Sequence, residues 1–186
     1  MTIIPIPFYK KFLGRLSLKA YTHGTGRVDV RTNGELALIN EIIKIIPEDT
    51  RPLTFFDVGA NMGDYSNAIL ESCTASRIAC EVHAFEPTKK SFFELSKILA
   101  LNHNRFYPNN SALSSESGQI SMHYDTEGSV LASFYDRSAS GSSQKLERIE
   151  AVTGKSYMVK NNIKRIDLLK IDVEGHELNV LKGFED

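Results

Sequence analysis

Residues 53–64 read LTFFDVGANMGD, a short apolar run that ends in an acidic residue and a turn with two glycines. A short apolar run that leads into such a turn is typical of a buried parallel strand followed by a helix. Glycine lets the main chain adopt positive φ values and lets a ligand approach closely. The stretch therefore predicts a strand over 53–58, a ligand-binding turn and a helix over about 64–73.

The same alternation of apolar strands and amphipathic helices continues to the end of the chain. It predicts strands at 80–85, 106–113 and 166–173, an antiparallel strand at 118–124, a loop at 125–145, and helices at 88–101, 146–160 and from 177. Apolar strands separated by helices indicate a parallel sheet that is covered on both faces. The fold class expected is α/β, with a doubly wound, Rossmann-like sheet.

The beginning of the chain differs from the rest in pattern. Residues 1–32 form a basic, partly amphipathic arm that we expect to dock on its own domain or on a second subunit, with contact to a membrane surface as the alternative. Residues 33–186 form the main domain. It opens with a helix over 34–46, for which Asn33 is the predicted N-cap and Pro47 the stop.

Composition excludes several classes of function. The 186 residues carry a formal charge of −1, which gives no general attraction to nucleic acid or to an anionic bilayer. No apolar run reaches the length of about 18 residues that an integral membrane segment needs. Cys73 and Cys80 match neither a disulfide framework nor a zinc motif, so they are interpreted as reduced thiols of a cytoplasmic protein.

Candidate ligand-binding residues follow the first two strands. In a doubly wound sheet, ligands bind at the carboxyl ends of the strands. The first turn offers Asp57, Gly59, Asn61 and Gly63, and the second strand ends in Glu86, placed to accept two hydrogen bonds from a ribose diol. Asn61 replaces a glycine that a nicotinamide dinucleotide site requires, and the acid at 57 repels a diphosphate but suits a ligand with an ammonium group.

Three ionisable residues lie on one side of the strand predicted at 166–173. Strand alternation sends Lys170, Asp172 and Glu174 in the same direction. Such residues are costly to bury without partners or a function. Two other interpretations remain open: a structural network in which Lys170 pairs with the acids, and a metal held by Asp172, Glu174 and His176.

Three blocks together resemble the FkbM family of S-adenosylmethionine-dependent methyltransferases. They are FFDVGANMGDYS at 55–66, VHAFEP at 82–87 and IDLLKIDVEGHELNVLKGFE at 166–185, and the likeness extends from about Asn33 to the end. The resemblance implies that the 57–63 turn holds the methionine part of the cofactor. It also implies that Glu86 binds the ribose and that Ser111 and Ala112 lie near the adenine.

The resemblance implies an O-methyltransferase that acts on a hydroxyl of a sugar, glycan or polyketide-like acceptor. Asp172 and Glu174 would then face the transferred methyl group and the acceptor, with His176 as a lower-ranked base. We expect no metal ion to be required. The competing hypothesis is a catalytically inactive module, derived from a methyltransferase, that binds the cofactor or serves in assembly.

The resemblance also raises an expectation about completeness. Folds of this class have seven strands, whereas we expect this sheet to be truncated after the fourth parallel strand. An open strand edge recruits other chains. We therefore expect the sequence to be a fragment or a truncated gene product, or else to form a homo-oligomer or pair with a completing chain.

Overall fold

The computed structural model describes residues 30–32, 34–46, 52–102, 105–124 and 145–185. The chain divides into two compact units, 1–47 and 48–186. The arm predicted at 1–32 lies almost wholly outside the described residues, and its boundary with the main domain at residue 33 stays a prediction.

The first unit contains helix α1, Glu35–Ile45, in which Ile39 and Ile43 are buried. The N-cap position belongs to Gly34, whose φ of 96° is in the left-handed region, and no side chain caps the helix. The cap is therefore one residue later than predicted, and Asn33 lies outside the described residues. Within the residues that the structure describes, no helix is both long enough and apolar enough to cross a membrane.

The second unit alternates strands and helices, as predicted. Its elements are β1 (Leu53–Val58), α2 (Asp64–Ala75), β2 (Cys80–Phe85), α3 (Lys89–Ser96) with a 3₁₀ turn (Lys97–Leu101), β3 (Phe106–Asn109), β4 (Ala112–Leu113), β5 (Gly118–Tyr124), β6 (Lys145–Val152), α4 (Gly154–Lys160), β7 (Leu168–Ile171) and α5 (Glu177–Lys182).

The central sheet has four strands in the order β3-β2-β1-β7, and all of its pairings are parallel. Phe56 of β1 is level with His83 of β2 and Leu169 of β7. This confirms the α/β Rossmann-like fold with four parallel strands. In the part of the chain that the structure describes, β7 lies at an edge of this sheet.

A second, three-stranded sheet has the order β4-β6-β5. The strand predicted at 106–113 is in fact two strands, β3 and β4, that belong to different sheets. The helix predicted at 146–160 was wrong over its first half, because β6 occupies Lys145–Val152 and pairs antiparallel with β5. In β6, buried Ile149 and Ala151 alternate with exposed Arg148 and Glu150, which is the period of a strand. The strand predicted at 118–124 is confirmed as β5.

One face of the central sheet carries an aromatic core. Phe56 and Phe85 are fully buried there together with Val180 of α5. The ring of Tyr157, from α4, packs edge-on against both phenylalanines, at centroid distances of 5.8 and 4.7 Å. Helices α4 and α5 are therefore anchored to the sheet from this side.

His83 is buried next to this core. Its ring stacks on Tyr107 of β3 at 4.6 Å, and its Nδ1 lies 2.9 Å from the Tyr157 hydroxyl. Burial lowers the pKa of His83 from 6.5 to about 4. The imidazole is thus neutral at pH 7. We assign its Nδ1 as the acceptor of the Tyr157 hydroxyl proton, which leaves the ring proton on Nε2.

His83 should make the fold sensitive to acid. Since the folded pKa is depressed, the unfolded chain binds the proton first as the pH falls below 6.5, and stability contributed by the neutral ring is lost down to about pH 4. The loss attributable to His83 is up to about 3 kcal/mol. Urea unfolding at pH 7.5, 6, 5 and 4.5 should show a steeper decline for the wild type than for His83→Gln. Parallel curves would contradict the assignment.

Candidate functional site

The carboxyl ends of β1, β2 and β7 meet at one edge of the central sheet. Asp57 of β1 is level with Ala84 of β2 and with Lys170 of β7. The residues that follow these positions therefore lie close together in space. They include most of the candidate binding and catalytic residues that were predicted from the sequence.

Asp57 is fully buried and is held by side chains of the protein. Its Oδ2 accepts a hydrogen bond of 2.7 Å from the Ser66 hydroxyl, and its Oδ1 forms an ion pair of 3.1 Å with the Lys170 ammonium. Lys170 in turn donates to the carbonyl of Gly59 at 3.0 Å. A cofactor ammonium would therefore have to compete with Lys170 for this carboxylate.

Lys170 has further neighbours at the same edge. Its Nζ lies 3.7 Å from Oδ2 of Asp172 and 5.6 Å from the centre of the Tyr65 ring. The structural network that the sequence left open is thus present, with Lys170 in contact with two acids. Its geometry also makes Lys170 the link between the glycine turn and the end of β7.

The glycine turn has the conformation that its sequence predicts. Gly59, Asn61 and Gly63 have φ values of 77°, 49° and 92°, all in the left-handed region. A Cβ atom at Gly59 would collide with the main-chain oxygen of Asp172. The turn after β1 and the turn after β7 therefore touch through their main chains, and only glycine allows this approach.

Glu86 joins the turn to the end of β2. Its Oε2 accepts a hydrogen bond from the Asn61 main-chain N–H at 2.9 Å, and its Oε1 accepts from the main-chain N–H and the hydroxyl of Thr88. The residue is only 6% exposed. Burial raises the pKa of Glu86, against the opposing effect of the hydrogen bonds from Thr88 and Asn61. The two predicted binding elements are therefore in direct contact.

The carboxylate of Glu86 keeps some capacity for a ligand. A carboxylate has about four lone-pair positions. Donors from the described residues occupy three of them, two on Oε1 and one on Oε2. The sequence predicted two hydrogen bonds from a ribose diol, whereas this arrangement leaves room for one hydroxyl, on Oε2.

Residues after β3 complete this part of the edge. The side-chain amide of Asn110 donates to the carbonyls of Glu86 and Pro87 at 2.9 and 3.0 Å. Ser111 and Ala112, predicted to lie near an adenine, are buried directly after it. Asn110 thus ties the third predicted element to Glu86, a contact that an asparagine in a short turn does not reveal by sequence alone.

The three candidate catalytic residues differ in their surroundings. The side chain of Asp172 is 69% exposed, and Glu174 is half-buried with a left-handed φ of 51°. His176 is buried, with Nε2 3.0 Å from the Ser114 hydroxyl and Nδ1 3.1 Å from the Asn179 amide. Burial lowers the pKa of His176. Asp172 is therefore the most accessible of the three.

A metal held by these three residues has no geometric support. Over the described ranges, no group of three or more His, Cys, Asp or Glu side chains is arranged to hold a metal ion. His176 directs both ring nitrogens to neighbours within the protein.

Comparison with known proteins adds independent information. Residues 57–186 match the methyltransferase FkbM domain. The chain is also similar to the hexuronic acid methyltransferase AglP of Haloferax volcanii, with 31% identity over 151 residues. The alignment covers 81% of this chain and 56% of that protein, so the chain spans a little over half the length of this relative.

Proposed function

Because the chain belongs to the FkbM methyltransferase family, we propose that it transfers a methyl group from S-adenosylmethionine to an oxygen atom of a sugar or glycan. The observation that carries the proposal is the contact between Glu86 and the glycine turn, at 2.9 Å from the Asn61 main-chain nitrogen. This contact joins the acid that we propose binds the ribose to the turn that we propose binds the methionine part, at one edge of the sheet. The hexuronic acid in the name of the relative supports a sugar acceptor.

The residues present fit the cofactor. The remaining acceptor position of Glu86 suits one ribose hydroxyl, and the 57–63 turn suits the methionine part. Ser111 and Ala112 would border the adenine. When bound, S-adenosylmethionine supplies the electrophilic methyl group. The main chain of the turn would then orient the cofactor. Lys170 holds this main chain in place, because its ammonium donates to the Gly59 carbonyl and pairs with the Asp57 carboxylate.

We assign the acceptor side to Asp172. Methyl transfer to a hydroxyl releases a proton, and a carboxylate that reaches solvent can orient the hydroxyl and accept that proton. Asp172 is exposed and lies 3.7 Å from the Lys170 ammonium, which restrains its direction. Glu174 ranks second. His176 ranks third because Ser114 and Asn179 already hold its ring.

The location proposed is the cytoplasm. Cys73 and Cys80 are both buried and not bonded to each other by a disulfide. Free thiols persist in reducing compartments. The homo-oligomer or completing chain expected from the sequence stays a prediction.

Cofactor binding tests the proposal directly. Calorimetry should detect binding of S-adenosylmethionine and S-adenosylhomocysteine but not of NAD. Glu86→Ala should weaken binding by about ten-fold or more, because a charge-assisted hydrogen bond to the ribose is lost. Glu94→Ala removes an exposed carboxylate that pairs only with Lys97 among the described residues, and it should leave the affinity unchanged.

Transfer to an acceptor separates an enzyme from a binding module. Incubation with radiolabelled S-adenosylmethionine and glycans that contain hexuronic acid should label the glycan. Cofactor binding without transfer to any sugar would favour the inactive module, and binding of NAD instead would overturn the proposal.

A further inference from the structure

Asn109 holds the main chain of Glu86. It is the last residue of β3 and is level with Phe85 of β2. Its carbonyl accepts the main-chain N–H of Glu86 at 3.0 Å. The position of Asn109 therefore determines how far the Glu86 segment extends beyond the sheet.

The side chain of Asn109 connects three elements. Its amide nitrogen lies 2.8 Å from the carbonyl of Tyr107, 3.2 Å from that of Ala84 and 3.1 Å from the hydroxyl of Tyr157. The first two contacts stay within the sheet. The third reaches helix α4, which is remote from Glu86 in sequence.

Tyr157 is itself fixed at both ends. Its ring packs edge-on against Phe56 and Phe85. Its hydroxyl accepts the hydrogen bond from Asn109 and lies 2.9 Å from Nδ1 of the buried His83. A line of hydrogen bonds thus runs from His83 through Tyr157 and Asn109 to the main chain of Glu86.

This line lies against an apolar core, where buried polar groups have a cost. A phenylalanine at 157 and an aliphatic residue at 83 would supply similar packing without burying a hydroxyl and an imidazole. Polar networks whose members are hydrogen-bonded restrict a core to one arrangement. The arrangement restricted here is that of the β3 end, where Asn109 holds the main chain of Glu86.

We propose that Tyr157 and Asn109 are positioning residues for the cofactor site. They hold the Glu86 segment in the position from which its carboxylate binds the ribose. The inference rests on the proposed function. It assigns helix α4, which lies outside the predicted binding turns, a part in cofactor affinity through the Tyr157 hydroxyl.

Tyr157→Phe tests this because it removes only the hydroxyl and keeps the ring. The variant should bind S-adenosylhomocysteine about three- to ten-fold more weakly, the range expected for one neutral hydrogen bond. Ile78→Val is the matched control, since Ile78 is buried just before β2, at the end of that strand opposite to Glu86, and its truncation lowers stability there. It should leave the affinity unchanged.

A double-mutant cycle distinguishes positioning from a general loss of stability. If Tyr157 acts through Glu86, the effects of Tyr157→Phe and Glu86→Gln on the dissociation constant should be less than additive. The affinity difference between S-adenosylhomocysteine and its 2′-deoxy and 3′-deoxy analogues should also shrink in Tyr157→Phe. Asn109→Ala provides a second variant should Tyr157→Phe fail to fold.

The outcomes separate the two hypotheses. No cofactor binding by the wild type, or no effect of Glu86→Ala, would overturn the proposed function. Binding that depends on Glu86 but is as strong in Tyr157→Phe and Asn109→Ala as in Ile78→Val would overturn this inference alone. Fully additive effects in the cycle would also overturn it.

Discussion

Asp172→Asn is expected to lower kcat by about 100-fold, the lower end of the range for losing a general base. Asparagine keeps the shape of the side chain and can still orient a hydroxyl, but it cannot accept the proton. Because the Asp172 side chain is exposed and is not among the groups proposed to bind the cofactor, cofactor affinity should change little. Steady-state rates with a hexuronic acid glycan, together with calorimetry of the cofactor, measure both quantities.

Glu150→Gln is the control for this prediction, since it neutralises an exposed carboxylate in the second sheet. It should leave kcat unchanged. The chemistry of the product decides how an active Asp172→Asn variant is interpreted. A methyl ether, which resists alkali, would show that Asp172 is not the base. An alkali-labile methyl ester would show that the acceptor is a carboxylate, which needs no base, and would overturn the assignment of a hydroxyl.

Gly59→Ala is expected to destabilise the fold by about 3 kcal/mol or more. The residue has a φ of 77°, and a Cβ atom there would collide with the carbonyl oxygen of Asp172 and crowd Val173. Main-chain atoms cannot move aside as a flexible side chain can. The turns after β1 and β7 would therefore separate, and urea unfolding should show the loss together with weaker cofactor binding.

Gly118→Ala is the comparison for this substitution. Gly118 has a φ of 149°, but a Cβ atom there would have no neighbour within 4 Å. Only backbone strain remains, with an expected cost of about 1 kcal/mol. Equal losses in the two variants would show that Gly59 does not mediate a close approach between the turns.

Most of the central sheet was predictable because its signals are local. The run at 53–58 is apolar at four of its six positions, as is typical of a strand buried on both faces, and the turn after it contains the glycines that a left-handed backbone needs. Periodicity in the following segments then set the order of strands and helices. The parallel pairing follows from that alternation.

The second sheet was less accessible to prediction. Leu146, Ile149 and Val152 recur every three residues, which is compatible with a helix. The strand forms because β5 offers a complete antiparallel partner for β6. Pairing between segments that are distant in sequence overrides local preference, and no short window of sequence contains that information.

In the candidate site, too, the features that depend on local sequence were predictable and those that depend on distant segments were not. Glu86 and the glycine turn could be placed near each other because the strand order brings their ends together. The burial of His176 against Ser114 could not be foreseen, nor could the contacts of Asn109 and Asn110 with the Glu86 segment. Each depends on a residue from a distant segment of the chain.

The ion pair between Asp57 and Lys170 has a consequence for directed evolution. Replacing Lys170 alone leaves the buried carboxylate of Asp57 without this counterion, and replacing Asp57 alone leaves Lys170 with the more distant carboxylate of the exposed Asp172; proteins tolerate such changes in a buried site poorly. A library that randomises one position would thus recover almost only the parent residue. A library that randomises both should also yield uncharged combinations, such as Asp57→Asn with Lys170→Met, so new variants at this site must be reached by paired rather than stepwise changes.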